Sequence, residues 1–317
     1  MKSLRNAGVV CGLVCLIPVL VSVVAGCGGG DGVPSGSADR AVVSKQSTAS
    51  VPSGGQAESA AEAGVITVTP QELRRRLNCY QAEFQMQGTE IVEVSLFQTG
   101  VRDISALRGL PLRALDLGMT QVSDLGALQG MKLERLDLEN VPVTDIGVLS
   151  GMPLKVLKMQ KSKVTDFAVL GSLRLEQLNV LDLPFADSDL LFVRESPLET
   201  IWLAGTKVTD LSGLPLSGLK SLDIERTAVS SLVPLSGSLQ LVRLNIAESA
   251  VTDVTALQGL RLQRITLSPE RITAGMEVLR GMDSLKQIQT SINEPMSAAD
   301  LLRQRCPPTA SAEELER

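Results

Sequence analysis

Residues 133–153 read LERLDLENVPVTDIGVLSGMP. LxxLxL alternates apolar and polar residues with period two, so it is a short strand whose Leu136 and Leu138 point inward. The chain must then turn, and Val143 returns to the interior. Asp145 stands just before the apolar IGVL and has the position of an N-cap for a short helical turn, whose free N–H groups it can satisfy. The segment is a strand, a corner and a capped return.

The same phrase recurs along the chain. Aligned on its opening residue, it starts at Ile91, Leu112, Leu133, Leu154, Leu175, Leu198, Leu219, Leu241, Leu262 and Leu285, with spacings of 21, 21, 21, 21, 23, 21, 22, 21 and 23 residues. A fixed period of this length is the signature of a stacked repeat array. Position nine is Thr or Ser in Thr99, Thr120, Ser162, Thr206, Thr227 and Ser249, suited to hydrogen-bonding backbone groups at the turn. Position 13 is Asp103, Asp124, Asp145, Asp166, Asp187, Asp210 and Asp253, with Ser231 in the remaining unit. A calcium ladder is the competing reading of these carboxylates. The GGxGxD pattern of calcium-binding β-rolls is absent, and one carboxylate per layer already committed to backbone N–H groups makes a poor ligand set.

Composition agrees with thin repeated layers. The 317 residues are 44% hydrophobic but only 2% aromatic, so the core is built from Leu, Val, Ile and Ala. There is no histidine. That excludes the Ser-His-Asp triad, the Cys-His pair, the HExxH zinc site and the facial-triad iron site. No catalytic, cofactor-binding or metal-binding residue is assigned, and the chain reads as a non-enzyme. Net charge is −5 with both signs interspersed, which argues against a nucleic-acid partner.

The unit L-x-x-L-x-L-x-x-T-x-V-T-D-L-x-x-L-x-G-L-x resembles the leucine-rich repeat family, in the short class found in bacterial internalin-like proteins. The resemblance covers about two thirds of the chain. It implies an α/β solenoid: a horseshoe with a parallel concave sheet, short helical or 3-10 turns on the convex side, and a helical cap at the N-terminal end. It also implies that positions three, five and seven of each strand face solvent on the concave side, where a partner would bind. The LRRRLN lead-in, the TxVxDLxxL units and ERITAGMEVLRGMDSLKQI are similar to repeat segments that some bacterial serine/threonine kinases carry. No Gly-rich loop with its lysine, HRD or DFG is present, so phosphoryl chemistry does not follow.

Position five reads Ser95, Asp116, Asp137, Lys158, Asn179, Trp202, Asp223, Asn245 and Thr266 down the array. Trp202 is the only tryptophan. Exposed on a polar sheet, it would be a binding hot spot; alternatively it covers adjacent leucines. The candidate partner-binding set is Trp202, Asn179, Asp223, Lys158, Arg243 and Glu225. The unit from Leu175 is longer, carries Pro184, and brings Asp182, Asp187, Asp189 and Glu195 close in sequence.

At the amino terminus Lys2 and Arg5 precede an apolar run from Ala7 to Ala25 that closes on Val24-Ala25-Gly26-Cys27. This is similar to the lipobox of bacterial lipoproteins, which implies lipidation of Cys27 after removal of residues 1–26, membrane attachment through that lipid, and an address in the cell envelope. Gly28 follows instead of Asp, which favours the outer membrane; attachment to the inner membrane, or an uncleaved apolar anchor, is the alternative. Residues 27–65 form the lipidated cysteine and a disordered Gly/Ser/Ala-rich linker with a reach of roughly 35 Å. GGGDG at 28–32 lacks the GK[ST] of a phosphate loop.

Residues 66–90 are expected to form a helical cap, with Thr69 as N-cap, Pro70 at the first helical position, Glu72 reaching back, and helix through ELRRRLNCYQAEF. The repeat domain spans 91–302, closing with a longer helix from about Thr273, and 303–317 is a loose tail. Cys79 and Cys306 flank the array too far apart for a disulfide. The partner is a protein or a cell-envelope polymer, with no nucleic acid and no small-molecule substrate. A structural or self-associating envelope component is the alternative.

Overall fold

The computed structural model describes residues 68–290 and the backbone of residues 295–297. Residues 1–65 with Cys27, Ile66, the tail 303–317 and Cys306 lie outside the described residues, as do the expectations attached to them.

The chain folds as a leucine-rich repeat solenoid. One sheet holds twelve strands in sequence order: β1 (Glu83–Gln87), β2 (Glu90–Ser95), β3 (Ala114–Asp116), β4 (Arg135–Asp137), β5 (Val156–Lys158), β6 (Gln177–Asn179), β7 (Thr200–Trp202), β8 (Ser221–Asp223), β9 (Arg243–Asn245), β10 (Arg264–Leu267), β11 (Gln287–Thr290) and β12 (Pro295–Ser297). Strands β2 to β11 run parallel, and β1 and β12 close the two ends antiparallel. Position four is buried in every repeat and position six in the first nine, Leu136 and Leu138 among them, while the intervening side chains face outward. Burying one such leucine stabilises by about 1.5–3 kcal/mol. Because each layer is only two or three side chains thick, the core is a continuous file of such leucines.

The corner after each strand is a four-residue turn. In most repeats the N–H of position nine donates to the carbonyl of position six, and the hydroxyls of Thr99, Thr120, Thr206, Thr227 and Ser249 donate to the same oxygen, whereas Ser162 Oγ accepts the Val164 N–H instead. Thr120 is typical: N–H to Leu117 O at 3.1 Å, Oγ1 to the same oxygen at 2.7 Å, with the side chain fully buried. Position eight is left-handed in eight consecutive repeats: Gln98, Met119, Asn140, Lys161, Asp182, Gly205, Arg226 and Glu248, with φ from 52° to 67°. A non-glycine residue there costs roughly 1 kcal/mol. The conformation persists because the position-eight N–H reaches the next repeat, as in Met119 to Glu139 O at 2.7 Å and Lys161 to Leu181 O at 3.1 Å. At the ninth repeat this place falls to Pro269, whose φ cannot turn positive. There the strand lengthens by one residue instead, to Leu267.

The aspartates of position 13 do cap the return turns, one residue earlier than an N-cap. Asp103, Asp124, Asp145, Asp166, Asp210 and Asp253 each accept the N–H two residues on, at 2.7–3.0 Å, which is the first residue of a 3-10 turn in every case but Asp210, where the 3-10 helix starts later, at Leu216. The formal cap position belongs to the apolar residue between, such as Ile104, because that residue is needed in the core. Asp187 departs from the pattern. Its repeat has the extra residues and replaces the 3-10 turn by α2 (Leu190–Val193), so its carboxylate reaches forward to Thr209 N (2.7 Å), Thr209 Oγ1 (2.6 Å) and Asp210 N (3.1 Å). Burial pushes its pKa up, but those three donors outweigh it and hold it below the ordinary range.

Both ends differ from expectation. Helix α1 (Pro70–Arg76) begins as read, with Thr69 Oγ1 accepting the N–H of Glu72 at 3.2 Å. It stops far short of Phe84. Asn78 takes φ 49°, and the N–H groups of Asn78 and Cys79 return to Arg75 O and Arg74 O, the Schellman arrangement that ends helices. Glu72 turns forward to Arg75 and Arg76 rather than back, and hydrogen bonds from both lower its pKa to about 2. At the other end Thr273 and Ala274 bond back to Thr252 O, Gly275 takes φ 84°, and α3 covers only Met276–Arg280.

Candidate functional site

Along the outward face of the sheet, position five forms an unbroken column in direct register: Ser95, Asp116, Asp137, Lys158, Asn179, Trp202, Asp223, Asn245, Thr266 and Gln289. Most of its members have a structural task. Asp116, Asp137, Asn179, Asp223 and Asn245 each accept the backbone N–H of position seven in their own repeat, at 2.8–3.1 Å, and Ser95 does so at 3.4 Å. That N–H lies just past the strand end, where no ladder partner is available, and an acceptor two residues back satisfies it.

Lysine and tryptophan carry no side-chain acceptor. At Lys158 and Trp202 the cap is therefore forgone, and the N–H groups of Gln160 and Ala204 lose it. Since a backbone hydrogen bond contributes roughly 0.5–1.5 kcal/mol, the fold gives a reason for Asp or Asn at these two places; Lys158 offers an ion pair with Asp137 in its stead, and Trp202 offers no polar substitute. Next to Lys158, the amide oxygen of buried Gln160 has no hydrogen-bond partner.

All six candidate residues fall on this one face. Asn179, Trp202 and Asp223 stand side by side on β6, β7 and β8, and Lys158 precedes them on β5. Lys158 Nζ pairs with Asp137 at 3.2 Å. Glu225, at position seven, accepts Asn245 Nδ2 at 3.0 Å and lies 3.7 Å from Arg226 Nε. Arg243 is exposed at position three of β9. Trp202 is half-buried, between the two readings the sequence left open, an exposed hot spot and a cover over adjacent leucines. Beyond it the repeat is stripped to Ala204 and Gly205, and Arg226 reaches over Gly205 to Asp182 at 3.1 Å. A Cβ on Gly205 would strike the Asp182 carboxylate. The acidic residues of the long repeat do not converge: Asp182 holds Arg226, Asp187 caps the next repeat, Asp189 accepts the Ala186 N–H, and Glu195 offers only its carbonyl, to Arg174. Among the described residues no group of three or more acids and cysteines is placed to hold a metal ion.

One aromatic of this face escaped the sequence reading. Phe97, at position seven of the first repeat, is 43% exposed, and its ring lies where a Cβ of Gly118 would stand, 2.9 Å from that point. Met119 lies beside it, 37% exposed, its sulfur accepting from Gln98 Nε2 at 3.4 Å. Reading position seven down the repeats, with Phe97 followed by a glycine in the next, was the available signal.

Burial raises the pKa of Asp223, and the neighbouring Glu225 charge adds to it against the Glu225 N–H, Asn245 and Arg226. Asp116 is raised in the same way, by burial first and then by Asp137 across the sheet. A folded-state value above the unfolded one means that the ionised carboxylate costs stability at neutral pH, a cost that fades as pH falls through the folded value. Asp223→Asn keeps the acceptor for the Glu225 N–H and removes the charge. Its melting temperature is expected to exceed the parent's at pH 7, with the gain vanishing as pH falls below the ordinary value of 3.8. A lower midpoint at pH 7 would mean that the charge is favourably held by Arg226.

No protein-family model and no curated protein sequence matches the chain. Among solved structures it is similar to internalin C2 of Listeria monocytogenes, at 24% identity over 62% of this chain and 90% of that one, with TM-score 0.52. An internalin (InlF) of the same organism aligns at 19% identity over 70% and 89%, with TM-score 0.46, and a leucine-rich repeat protein of Leptospira interrogans at 19% over 72% and 58%, with TM-score 0.43. With the leucine columns, the in-register parallel sheet and the 3-10 returns, the first of these likenesses identifies the fold as that of the leucine-rich repeat solenoids.

Proposed function

We propose that the chain is a non-enzymatic protein-binding module that uses the outward face of its sheet, centred on Trp202, and that it is held in the bacterial cell envelope by lipid on Cys27, at the outer membrane. The observation that carries the binding surface is the sacrificed cap: Trp202 and Lys158 stand in a column in which six members, Ser95, Asp116, Asp137, Asn179, Asp223 and Asn245, serve the backbone. A half-buried indole on a rigid sheet offers large contact area at small entropic cost.

Two substitutions separate binding from folding. Trp202→Asn restores the acceptor for the Ala204 N–H, whereas Trp202→Ala does not, so the Asn variant should be the more stable of the two by about 1 kcal/mol in urea titration. Both should lose partner capture by roughly 30-fold or more, the loss of a hot-spot side chain. Full-length parent and variants, immobilised from detergent and exposed to envelope extract, read this directly. If both variants retain the parent's set of captured proteins, the Trp202 surface is not where binding occurs, and self-capture alone would favour a structural envelope role. For the anchor, Cys27→Ala should abolish incorporation of labelled fatty acid and release the chain from the membrane fraction; retention of label would refute lipidation at Cys27.

A further inference from the structure

The basic residues of the outward face are paired across strands except at one end. Its columns three and five contain the basic residues Arg135, Lys158, Arg243 and Arg264. Arg135 pairs across strands with Glu93 at 2.9 Å and Lys158 with Asp137 at 3.2 Å. Arg243 and Arg264 are direct partners in register on β9 and β10, both exposed, and among the described residues neither forms an ion pair. Neighbouring strands lie about 4.8 Å apart, so two like charges stand side by side, an arrangement that costs stability. Arg264 Nε is turned toward Gln287 Oε1 at 2.8 Å, which leaves the rest of its planar fork for another acceptor. From β9 to β11 the two columns hold these arginines with Asn245, Thr266, Gln287 and Gln289, and no acid.

We propose that this end of the face recognises an acidic protein segment, bound extended across the strands, whose carboxylates pair with Arg243 and Arg264 while an apolar side chain rests against Trp202. The inference rests on the reading of the sheet face as a protein-binding surface and names the chemistry of its partner. Carboxylates suit the site because guanidinium groups take them in paired, parallel hydrogen bonds. Strand spacing and residue rise put Arg243 and Arg264 about 12 and 16 Å from Trp202, a separation of four to five residues in an extended segment. Asp223, beside Trp202, repels carboxylates from the aromatic end, so the segment is held in one direction.

The test selects a displayed library of random dodecapeptides on the full-length chain in detergent micelles, beside the Arg243→Gln/Arg264→Gln variant and Trp202→Asn. The parent is expected to enrich peptides with Asp or Glu four to five residues from a large apolar residue. Quenching of the single tryptophan should report their binding, weakened by salt and at least roughly 30-fold weaker in the arginine variant. That variant should melt at or slightly above the parent, since both side chains are exposed and a like-charge pair is removed. A parent pool without acidic enrichment, or the same enrichment in the arginine variant, overturns the proposal. An unchanged pool from Trp202→Asn, with the arginine dependence intact, would sink the Trp202 reading and leave acid recognition standing. Capture of polyphosphate with no acidic peptide enriched overturns the assignment to a protein partner.

Discussion

Phe185→Ala is expected to lower stability by about 3–5 kcal/mol, the range for emptying a large aromatic site in a core. Phe185 is fully buried and meets Phe167 edge to face, ring centroids 4.9 Å apart and planes at 68°. It stands at position eleven, where the flanking repeats have Val164 and Val208. The larger ring fills the layer that the two extra residues and α2 open up. Each layer touches only its neighbours, so the damage stays in the middle of the array and cannot be shared by the whole. Urea unfolding, followed by far-UV circular dichroism, should therefore separate into two transitions, one for the repeats on each side of the hole. Phe185→Val, the residue its neighbours use, should lose less. A single transition shifted by under about 1 kcal/mol would mean that the layer collapses onto the gap and that the aromatic pair does not hold the long repeat in place.

Gly275→Ala should be nearly as damaging, by about 2–5 kcal/mol, with its effect confined to the C-terminal end. Two costs add: a left-handed conformation at φ 84° that alanine resists, and a Cβ that would run into the backbone of the previous repeat, against Thr255 N and 2.8 Å from Val254 C. Backbone cannot swing aside as a side chain does. The bridge of Asp253 with Ala274, and the Val254 N–H to Ala274 O bond at 3.1 Å, would have to open first. Amide exchange should show α3 and β11 losing protection while β3 to β7 keep theirs. Uniform loss across all strands would contradict this local account.

The columns that exclude water were readable from letters alone. Leucine at positions one, four and six, valine at eleven and aspartate at thirteen each have one chemical task, so period and residue type sufficed. The backbone at position eight was not readable. Met119, Lys161 and Arg226 have no local preference for a left-handed turn; the ladder to the next repeat imposes it, and such a tertiary demand leaves no mark at the residue itself. Position five misled for a related reason. Asp223 and Asn179 look like free polar side chains on a solvent face, yet both are bound to the N–H two residues on, so a column that reads as open for recognition is largely structural. Trp202, read either as an exposed hot spot or as cover over adjacent leucines, is half-buried. Helix α1 was over-extended because Asn78 was read as a helix residue when it is the stop.

Hydrogen bonds between strands lie across the strand direction, and here that direction is the axis along which repeats stack. Nine parallel junctions, β2 to β11, are thus arranged in series. A pull on the two ends of the array loads every junction equally, and the weakest yields while its neighbours hold. Each yielding repeat frees about 21 residues, roughly 70 Å of extended chain. Stretched from its two ends, the array would behave as a shock absorber, lengthening in steps at a nearly level force.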